Sequence, residues 1–358
     1  MYEYSIVCYV GGKHFQKDIH MKALILCFFT AIGLAISAPL PAKAVEKVTV
    51  DNFIRAETDT TFARYVKDQA FGKLLHFRKP TPIDKQNVIR MNRDTIYSVG
   101  VFDLTEPVTI VKPDGKGRYQ SMQVLNQDQY TLAVETGKGE FTFTEDTVGT
   151  RYVLFLFRTF IDANDPADIK DGNELQDQIA VRQKSAGTFD VPDWDQKSLA
   201  GLRDAINVLA ATKTNTIGMF GNIKQVDPIN HLLGTAYGWG GLPEYAAFYV
   251  NVEPEKNDGK TPYSLTMAQK IPTEGFCSIT VYNIKGFMEK NKWNAYSVNN
   301  VTAKRNPDGS ATVHFGGDPS QSNFLPITPG WNYIVRMYQP DKEVINGTWK
   351  FPEAQPVK

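Results

Sequence analysis

The chain contains few cysteines, and their positions exclude a disulfide framework. Only three occur in 358 residues, and Cys8 and Cys27 lie in a segment that we expect to be removed. Cys277 would then be the sole cysteine of the mature protein, which makes an internal disulfide impossible. Because Cys277 alternates with polar residues on a strand pattern, sharing a face with Ile279 and Val281, we expect its thiol to be buried and inert.

The charges are balanced, with 39 Lys and Arg against 39 Asp and Glu. A nucleic-acid-binding protein would show a basic stripe, and a protein bound to a membrane surface would show a block of like charges. Neither pattern occurs in the sequence. We therefore expect no nucleic-acid partner.

The motifs of the common catalytic classes are missing. The sequence has no G-x-S-x-G elbow, P-loop, H-E-x-x-H or C-x-x-C pair. His76, His231 and His314 have no partner at ligand spacing, so we expect neither a metal nor a cofactor. Gly238-Trp239-Gly240-Gly241 is interpreted as a tight turn that lets Trp239 pack. Whether the protein is an enzyme stays open at this point.

A single long apolar run lies near the start of the chain. Met21 and Lys22 precede an apolar stretch over residues 23–38, and Ala42 and Ala44 supply an A-x-A cleavage site. This arrangement predicts a secretory signal peptide cleaved after Ala44, because the run is too short to be a good membrane span. We expect a periplasmic or secreted protein with no membrane span after processing.

Helical periodicity occurs in two places. Phe62, Tyr65, Val66 and Ala70 follow the polar run Thr58–Thr61, which can cap a helix. Further along, an apolar stripe follows a possible cap at Ser198; its residues are Leu199, Leu202, Ile206 and Leu209. Leu175 and Ile179 predict a shorter helix before that stripe. Residues 165–215 are therefore predicted to form a helical insertion.

Most of the remaining sequence has the features of strands. Short β-branched or aromatic runs are bounded by Gly, Pro and Asp, at Val108–Val111, Tyr119–Leu125, Phe141–Phe143 and Tyr152–Phe157. The apolar run Val153–Phe157 predicts a central strand buried on both faces, and Asn306-Pro307-Asp308-Gly309 predicts a turn. The predicted fold class is mainly β with a helical insertion, in antiparallel β-sandwich or jelly-roll domains.

Three segments are predicted. Residues 1–44 combine an over-long start, with Met21 as the expected first residue, and the signal peptide. Residues 45–250 would form an N-terminal domain that contains the insertion, and residues 251–358 a C-terminal domain, because the periodicity is lost near Asn251–Pro262. A long hairpin loop is the alternative interpretation of that segment.

Two groups of polar residues are candidate ligand-binding residues. Asn92, Arg93, Asp94 and Tyr97 directly precede or begin a strand, where an Arg–Asp pair would serve as a structural clamp or would recognise an anion. Arg336 interrupts the apolar run of residues 333–338, so it is either solvated or paired in a pocket.

The candidate neighbours of Arg336 in a pocket are Ser278, Thr280, Tyr282 and Asn323. Aromatic residues make up 12% of the chain. Most must belong to the core, and a minority would be free to line a groove for a sugar or a flat apolar ligand.

These residues also carry a family resemblance. The sequence Asn92-Arg93-Asp94-Thr95-Ile96-Tyr97-Ser98, with Arg118-Tyr119 and Gln123, resembles the domain of unknown function 1254. The C-terminal motifs resemble the domain of unknown function 1214, with Phe324 where an Asn-Trp-Leu-Pro motif has Trp; they are Phe276–Tyr282, Asn306–Gly309, Asn323–Pro326, Arg336–Tyr338 and Gly347–Lys350. The resemblance implies an exported bacterial protein with β-sandwich domains, the C-terminal one jelly-roll-like, that often forms homo-oligomers. It implies no particular activity.

Three functions therefore compete. The first is binding of a small molecule or carbohydrate in a pocket between β domains. The second is a periplasmic hydrolase or lyase acting on a small or amphipathic substrate, which requires a general acid or base in reach of the substrate. The third is a structural subunit of an oligomer.

Overall fold

The computed structural model describes residues 44–86, 89–213 and 215–357. The predicted signal peptide, Met21, Ala42, Cys8 and Cys27 lie outside the described residues. The described chain from residue 44 onward belongs to a single compact unit.

The chain is mainly β, as the sequence predicts. The strands within the described residues are β1 Val45–Glu46, β2 Leu75–His76, β3 Thr95–Asp103, β4 Val108–Lys112, β5 Gln120–Asn126, β6 Thr131–Glu135, β7 Gly139–Phe143, β8 Tyr152–Phe160, β9 Ala180–Gln183, β10 Asp193–Trp194, β11 Ala247–Val252, β12 Tyr263–Met267, β13 Cys277–Tyr282, β14 Ser297–Asn299, β15 Ala311–Phe315, β16 Phe324–Leu325, β17 Asn332–Tyr338 and β18 Gln355–Pro356. The helices are α1 Phe53–Lys67, α2 Glu145–Val148, α3 Pro166–Asp177, α4 Gln196–Ala210, α5 Pro228–Gly238 and α6 Lys342–Ile345.

The N-terminal half is built on a five-stranded antiparallel sheet in the order β2-β3-β8-β5-β6. Every residue of β8 is buried, which confirms the central strand that the run Val153–Phe157 predicts. One face of the sheet packs on the three-stranded sheet β7-β4-β9 through an apolar core that includes Phe102, Val124 and Phe155. The other face packs on Phe62 and its neighbours in α1.

The C-terminal half contains two four-stranded sheets, β11-β17-β13-β14 and β16-β15-β12-β18. The inner side chains of β13 and β17 share one apolar core with those of β12 and β15. Cys277 lies in this core beside Ile279, and it is buried and free as predicted. Burial raises the pKa of its thiol. A jelly-roll connection of these strands stays a prediction.

The helices begin at residues other than those the sequence analysis selects. α1 starts at Phe53, so Thr58–Thr61 lie inside it rather than capping it, and its buried face extends back to Phe53 and Ala56. α4 is capped by Asp195, whose carboxylate accepts from Lys197 N. Ser198 lies in the first turn, where its hydroxyl donates to Asp195 O.

The segment of residues 165–215 contains α3, α4 and the two short strands β9 and β10. The boundaries predicted at residues 44 and 250 stay predictions. Strand β11, which crosses residue 250, pairs along its whole length with β17.

Candidate functional site: a buried polar layer

The outer face of the sheet β11-β17-β13-β14 faces the N-terminal half, and its side chains are polar and aromatic. Alternation along β13 puts Ser278, Thr280 and Tyr282 on this face, opposite the core residues Cys277 and Ile279. We call the junction the polar layer. Its members are Asp94, Tyr97, Tyr119, Ser121, Arg158, Tyr249, Ser278, Tyr282, Arg336 and Tyr338.

Arg336 is held by oxygens from both halves of the chain. Its Nη1 donates to Thr280 Oγ1 at 3.0 Å, and its Nη2 donates to Tyr282 Oη at 2.7 Å and to Arg90 O at 2.8 Å. Only 4% of the residue is exposed. The sequence left a solvated face or a pocket open for Arg336, and the structure places it inside the protein.

Arg158 on β8 is the arginine of the polar layer that comes from the N-terminal sheet, as Arg336 on β17 comes from the C-terminal sheet. Its Nη1 donates to Gln123 Oε1 and its Nη2 to Gly240 O, both at 2.8 Å. The guanidinium lies over the Tyr97 ring, with 6.0 Å from Cζ to the ring centroid. Sequence analysis missed Arg158, and the signal that would have found it is a cation directly after the apolar run of β8.

The corner formed by Asn92, Arg93 and Asp94 connects the two halves. Asn92 Nδ2 donates to Tyr338 Oη at 2.8 Å, and its Oδ1 accepts from Asp94 N at 2.9 Å. Asp94 Oδ1 accepts from Ser297 Oγ at 3.0 Å and from Asn299 Nδ2 at 3.2 Å. Burial raises the pKa of Asp94, and the bonds from Asn299 and Ser297 offset part of that shift.

Arg93 does not form the expected ion pair with Asp94. Its Nη1 donates to Thr81 O at 2.7 Å, and its guanidinium lies 5.0 Å from the centroid of the Tyr296 ring. The side chains diverge because neighbouring residues at a strand entrance point in different directions. The clamp between the halves is therefore made by Asn92 and Asp94.

Several buried polar atoms of the layer meet hydrogen-bond geometry with no atom of the described residues: Asp94 Oδ2, Tyr119 Oη, Ser121 Oγ and Ser278 Oγ. Ser278 is close enough to Asp94 to lower the pKa of the carboxyl, yet the geometry of a hydrogen bond is not met. Buried polar atoms are nearly always hydrogen-bonded in native proteins. Four atoms without such a bond at one junction therefore indicate that a ligand or ordered water binds there.

Tyrosines around these atoms keep accessible surface although their hydroxyls are buried. Burial is the main cause that raises the pKa of the hydroxyls of Tyr65 and Tyr249, and it raises that of Tyr119 to about 12. The same residues are only half-buried by surface area. Because the hydroxyls of these tyrosines are buried while part of each side chain remains accessible, we infer that there is space next to the rings.

Of the other predicted residues, Tyr97 and Tyr282 lie in the layer and Asn323 does not. Tyr282 Oη donates to Met91 O at 2.8 Å. Asn323 Nδ2 donates to the carbonyl oxygens of Lys304 and Thr312, both at 2.9 Å, and its φ is 56°. It fixes the turn before β16 in a left-handed conformation that asparagine tolerates.

A cleft of about 750 Å³ adjoins the layer. Its walls come from both halves, including Arg118, Gln120 and Phe276, and its volume is in the range of small-molecule sites. Arg118 forms two bonds to Asp168, at 2.9 and 2.6 Å. Tyr119 lines this cleft while its hydroxyl interacts electrostatically with Arg158 and Tyr249. Tyr119 therefore lies between the cleft and the polar layer.

The three histidines of the described chain are separate from one another. His76 bonds to Ser98, His231 stacks on Tyr130, and His314 lies on the outer face of β15. Within the described ranges no group of three His, Cys, Asp or Glu is placed to hold a metal ion. In the same residues, no helix has the length and apolar character needed to cross a bilayer.

The fold and the layer define a two-part β protein with a buried polar junction. Residues 71–183 match the family model "Protein of unknown function (DUF1254)", and residues 244–342 match "Protein of unknown function (DUF1214)". The chain belongs to the proteins that carry a DUF1254 region followed by a DUF1214 region, as the sequence motifs predict.

The fold is shared with a solved structure, and a second solved structure resembles this chain more weakly. The VPA0106 protein from Vibrio parahaemolyticus is 21% identical, with a TM-score of 0.64 over 86% of this chain and 98% of that chain. A putative uncharacterized protein from Burkholderia cenocepacia is 15% identical, with a TM-score of 0.48 over 86% of this chain and 87% of that chain. No protein with a curated description matches the sequence.

Proposed function

We propose that this protein binds a small polar organic molecule in the polar layer. The observation that carries the proposal is the set of unpartnered buried atoms beside half-buried tyrosines, at the junction of the two halves. A ligand would complete the bonds that Ser121, Ser278 and Asp94 leave open. Tyrosine rings together with hydrogen-bonding groups suit carbohydrates as well as other small polar molecules.

A hydrolase or lyase is the second candidate, and Asp94 is the observation that favours it. A carboxyl with a raised pKa and one free oxygen is suited to donate a proton to a bound substrate. Under this proposal Asp94→Asn would abolish turnover, because an amide cannot replace the acidic proton, while the ligand would still bind through the other residues of the layer. Product formation from a bound ligand, followed by mass spectrometry, separates the two functions.

Binding is tested by a thermal-shift screen of neutral sugars, small acids and amines on the wild-type protein. A hit should raise the melting temperature in a concentration-dependent way, since a ligand that binds only the folded state stabilises it. Ser278→Ala should weaken that hit, whereas Ser320→Ala, in an exposed turn, should not. A screen with no hit, confirmed by calorimetry, would contradict the proposal.

We also propose that the protein is exported and that it associates with copies of itself. The A-x-A site at Ala42 and Ala44 supports export, and the expected mature protein begins at Val45. Mass spectrometry of the periplasmic fraction measures that N-terminus, and a product that retains residues 21–44 in the membrane would contradict export. Self-association is supported by the family resemblance and by the exposed apolar side chains of Leu209 and Ile229.

A further inference from the structure

The polar layer contains the same three residue types twice, once on each of its sheets. On the N-terminal sheet, Tyr97 pairs with Arg158 across β3 and β8, and Arg158 pairs with Ser121 across β8 and β5. Residues paired directly across antiparallel strands lie on the same face of a sheet. Tyr97, Arg158 and Ser121 therefore form a row with the arginine in the centre.

The C-terminal sheet repeats this row. Tyr249 on β11 pairs with Arg336 on β17, and Arg336 pairs with Ser278 on β13. The two rows are close to each other, because the Tyr249 hydroxyl interacts electrostatically with both Arg158 and Arg336. Ser121 and Ser278, the serines of the two rows, each carry a buried hydroxyl that meets hydrogen-bond geometry with no described residue, although Tyr119 lies near Ser121 and Asp94 lies near Ser278.

Neither arginine has a counter-ion within ion-pair distance among the described residues. Neither takes part in an ion pair of the described residues, and both are less than a tenth exposed. Asp94 interacts electrostatically with Arg336 but is not within ion-pair distance of it, and its burial favours the neutral acid. An unpaired charge inside a protein is costly, which favours a binding partner of opposite sign.

The guanidinium groups also retain free donors. A guanidinium has five N–H donors, of which the described contacts occupy two in Arg158 and three in Arg336. Arginine presents such donors as a fork that matches the two oxygens of a carboxylate or phosphate. The serine and tyrosine hydroxyls of the rows add further donors beside them.

We propose that the ligand of the polar layer carries an anionic oxygen group, a carboxylate or a phosphate, held between Arg158 and Arg336. The proposal rests on the proposed binding function and names the class of ligand. The two Tyr-Arg-Ser rows contribute one guanidinium and one serine hydroxyl each. The tyrosine rings flank the carbon skeleton of the ligand.

The test compares three compounds with the same ring, benzoate, phenyl phosphate and neutral benzamide, by isothermal titration calorimetry on the full-length protein. We expect benzoate or phenyl phosphate to bind at least tenfold more tightly than benzamide, since hydrogen bonds from a guanidinium to an anionic oxygen are stronger than those to a neutral one. The tighter of the two anions identifies carboxylate or phosphate as the group. Equal affinity for benzamide, or no binding of either anion, would overturn the inference.

Substitution of each arginine tests whether the anion binds between Arg158 and Arg336. Arg158→Gln and Arg336→Gln should each weaken the anion at least tenfold and should weaken benzamide by less than the anion. Arg182→Gln, which removes an exposed arginine from β9, is the matched control and should change neither. If an arginine variant does not fold, Ser121→Ala and Ser278→Ala are measured in its place, and unchanged anion affinity in both would contradict the site.

These outcomes separate the inference from the proposed function. Neutral sugars that bind in the thermal-shift screen, with no preference for benzoate or phenyl phosphate, would remove the anion proposal and leave small-molecule binding intact. A screen without any hit would remove both.

Discussion

Asp94 joins the two halves of the chain while keeping one carboxylate oxygen without a partner. Its pKa is raised, mainly by burial. A raised pKa in the folded state means that the stability contributed by the neutral acid is complete below the unfolded pKa, near 3.8, and is lost as pH rises through the folded pKa.

Asp94→Asn should therefore flatten the pH dependence of stability. Asparagine keeps an oxygen that accepts from Ser297 and Asn299, and its amide has no charge to bury. We expect the variant to gain stability relative to wild type as pH rises from 4 towards neutrality, by about 1.4 kcal/mol for each unit of the shift. Urea unfolding at several pH values measures this difference.

The control is Asp308→Asn. Asp308 is exposed and its pKa is lowered, chiefly by the bond from the Ser310 hydroxyl. That variant should lose rather than gain stability relative to wild type as pH rises through the folded pKa of Asp308. An Asp94→Asn difference from wild type that is constant at every pH would contradict the buried, neutral carboxyl.

Single residues also show the limits of sequence reasoning. Arg336 was selected because a cation inside an apolar strand requires an explanation, and Tyr282 followed from alternation on β13. Arg158 was missed because it follows the apolar run at the point where a strand could end. Asn323 is predicted to be a neighbour of Arg336, yet its side chain bonds to the nearby backbone oxygens of Lys304 and Thr312 instead.

Among the elements, the strands were predictable and their pairing was not. β4, β7 and β8 cover the predicted runs, because alternation and turn residues are local signals. The rows of the polar layer depend on register across three strands, and pairing partners far apart in sequence are selected by packing of whole faces. The start of α1 was misplaced for a related reason, since burial of Phe53 extends the helix beyond its polar run.

The turn after α5 positions a backbone oxygen for Arg158. Gly240 has a φ of 75° and its carbonyl accepts from Arg158 Nη2. An added Cβ would meet only ordinary contacts, the nearest at 3.8 Å from Leu156 Cδ2. Gly240→Ala should therefore lower the free energy of unfolding by about 1–2 kcal/mol through backbone strain alone, and it should weaken ligand binding by displacing Arg158.

Gly201→Ala is the matched glycine variant. Gly201 lies inside α4 with open space around its Cα, so alanine should stabilise the protein by about 0.5–1 kcal/mol. Urea unfolding measures both variants, and calorimetry with the anion measures the effect on binding. Equal stability of the two variants would show that the left-handed turn at Gly240 does not require glycine.

At the scale of the whole molecule, the sequence predicted β-rich regions and their order but not how their faces meet. The apolar faces of each half are visible as alternating residues and close on cores within that half. The junction is polar, and polar residues on a strand face look like a solvated surface in sequence. Burial of Arg158 and Arg336 becomes visible only once both sheets are assembled.

The same assembly leaves a group of apolar side chains exposed. Val208 and Leu209 end α4, Ile223 lies in the connection, and Ile229 begins α5; each is at least 61% exposed. The inner faces of α4 and α5 are already packed in one apolar core, so these residues face outward. Exposed apolar side chains of this kind occur at association sites, and we propose a second copy of this chain as the partner.

The wild-type protein should therefore form a homo-oligomer, and Leu209→Glu combined with Ile229→Glu should convert it to a monomer, because two charges would be buried in the contact. Light scattering coupled to size-exclusion chromatography measures the mass of each species. Ile284→Glu is the matched control, since Ile284 is 74% exposed but lies far along the chain in the β13–β14 connection. A wild-type monomer at every concentration would contradict self-association, and an oligomer that persists in the double variant would place the contact on another surface.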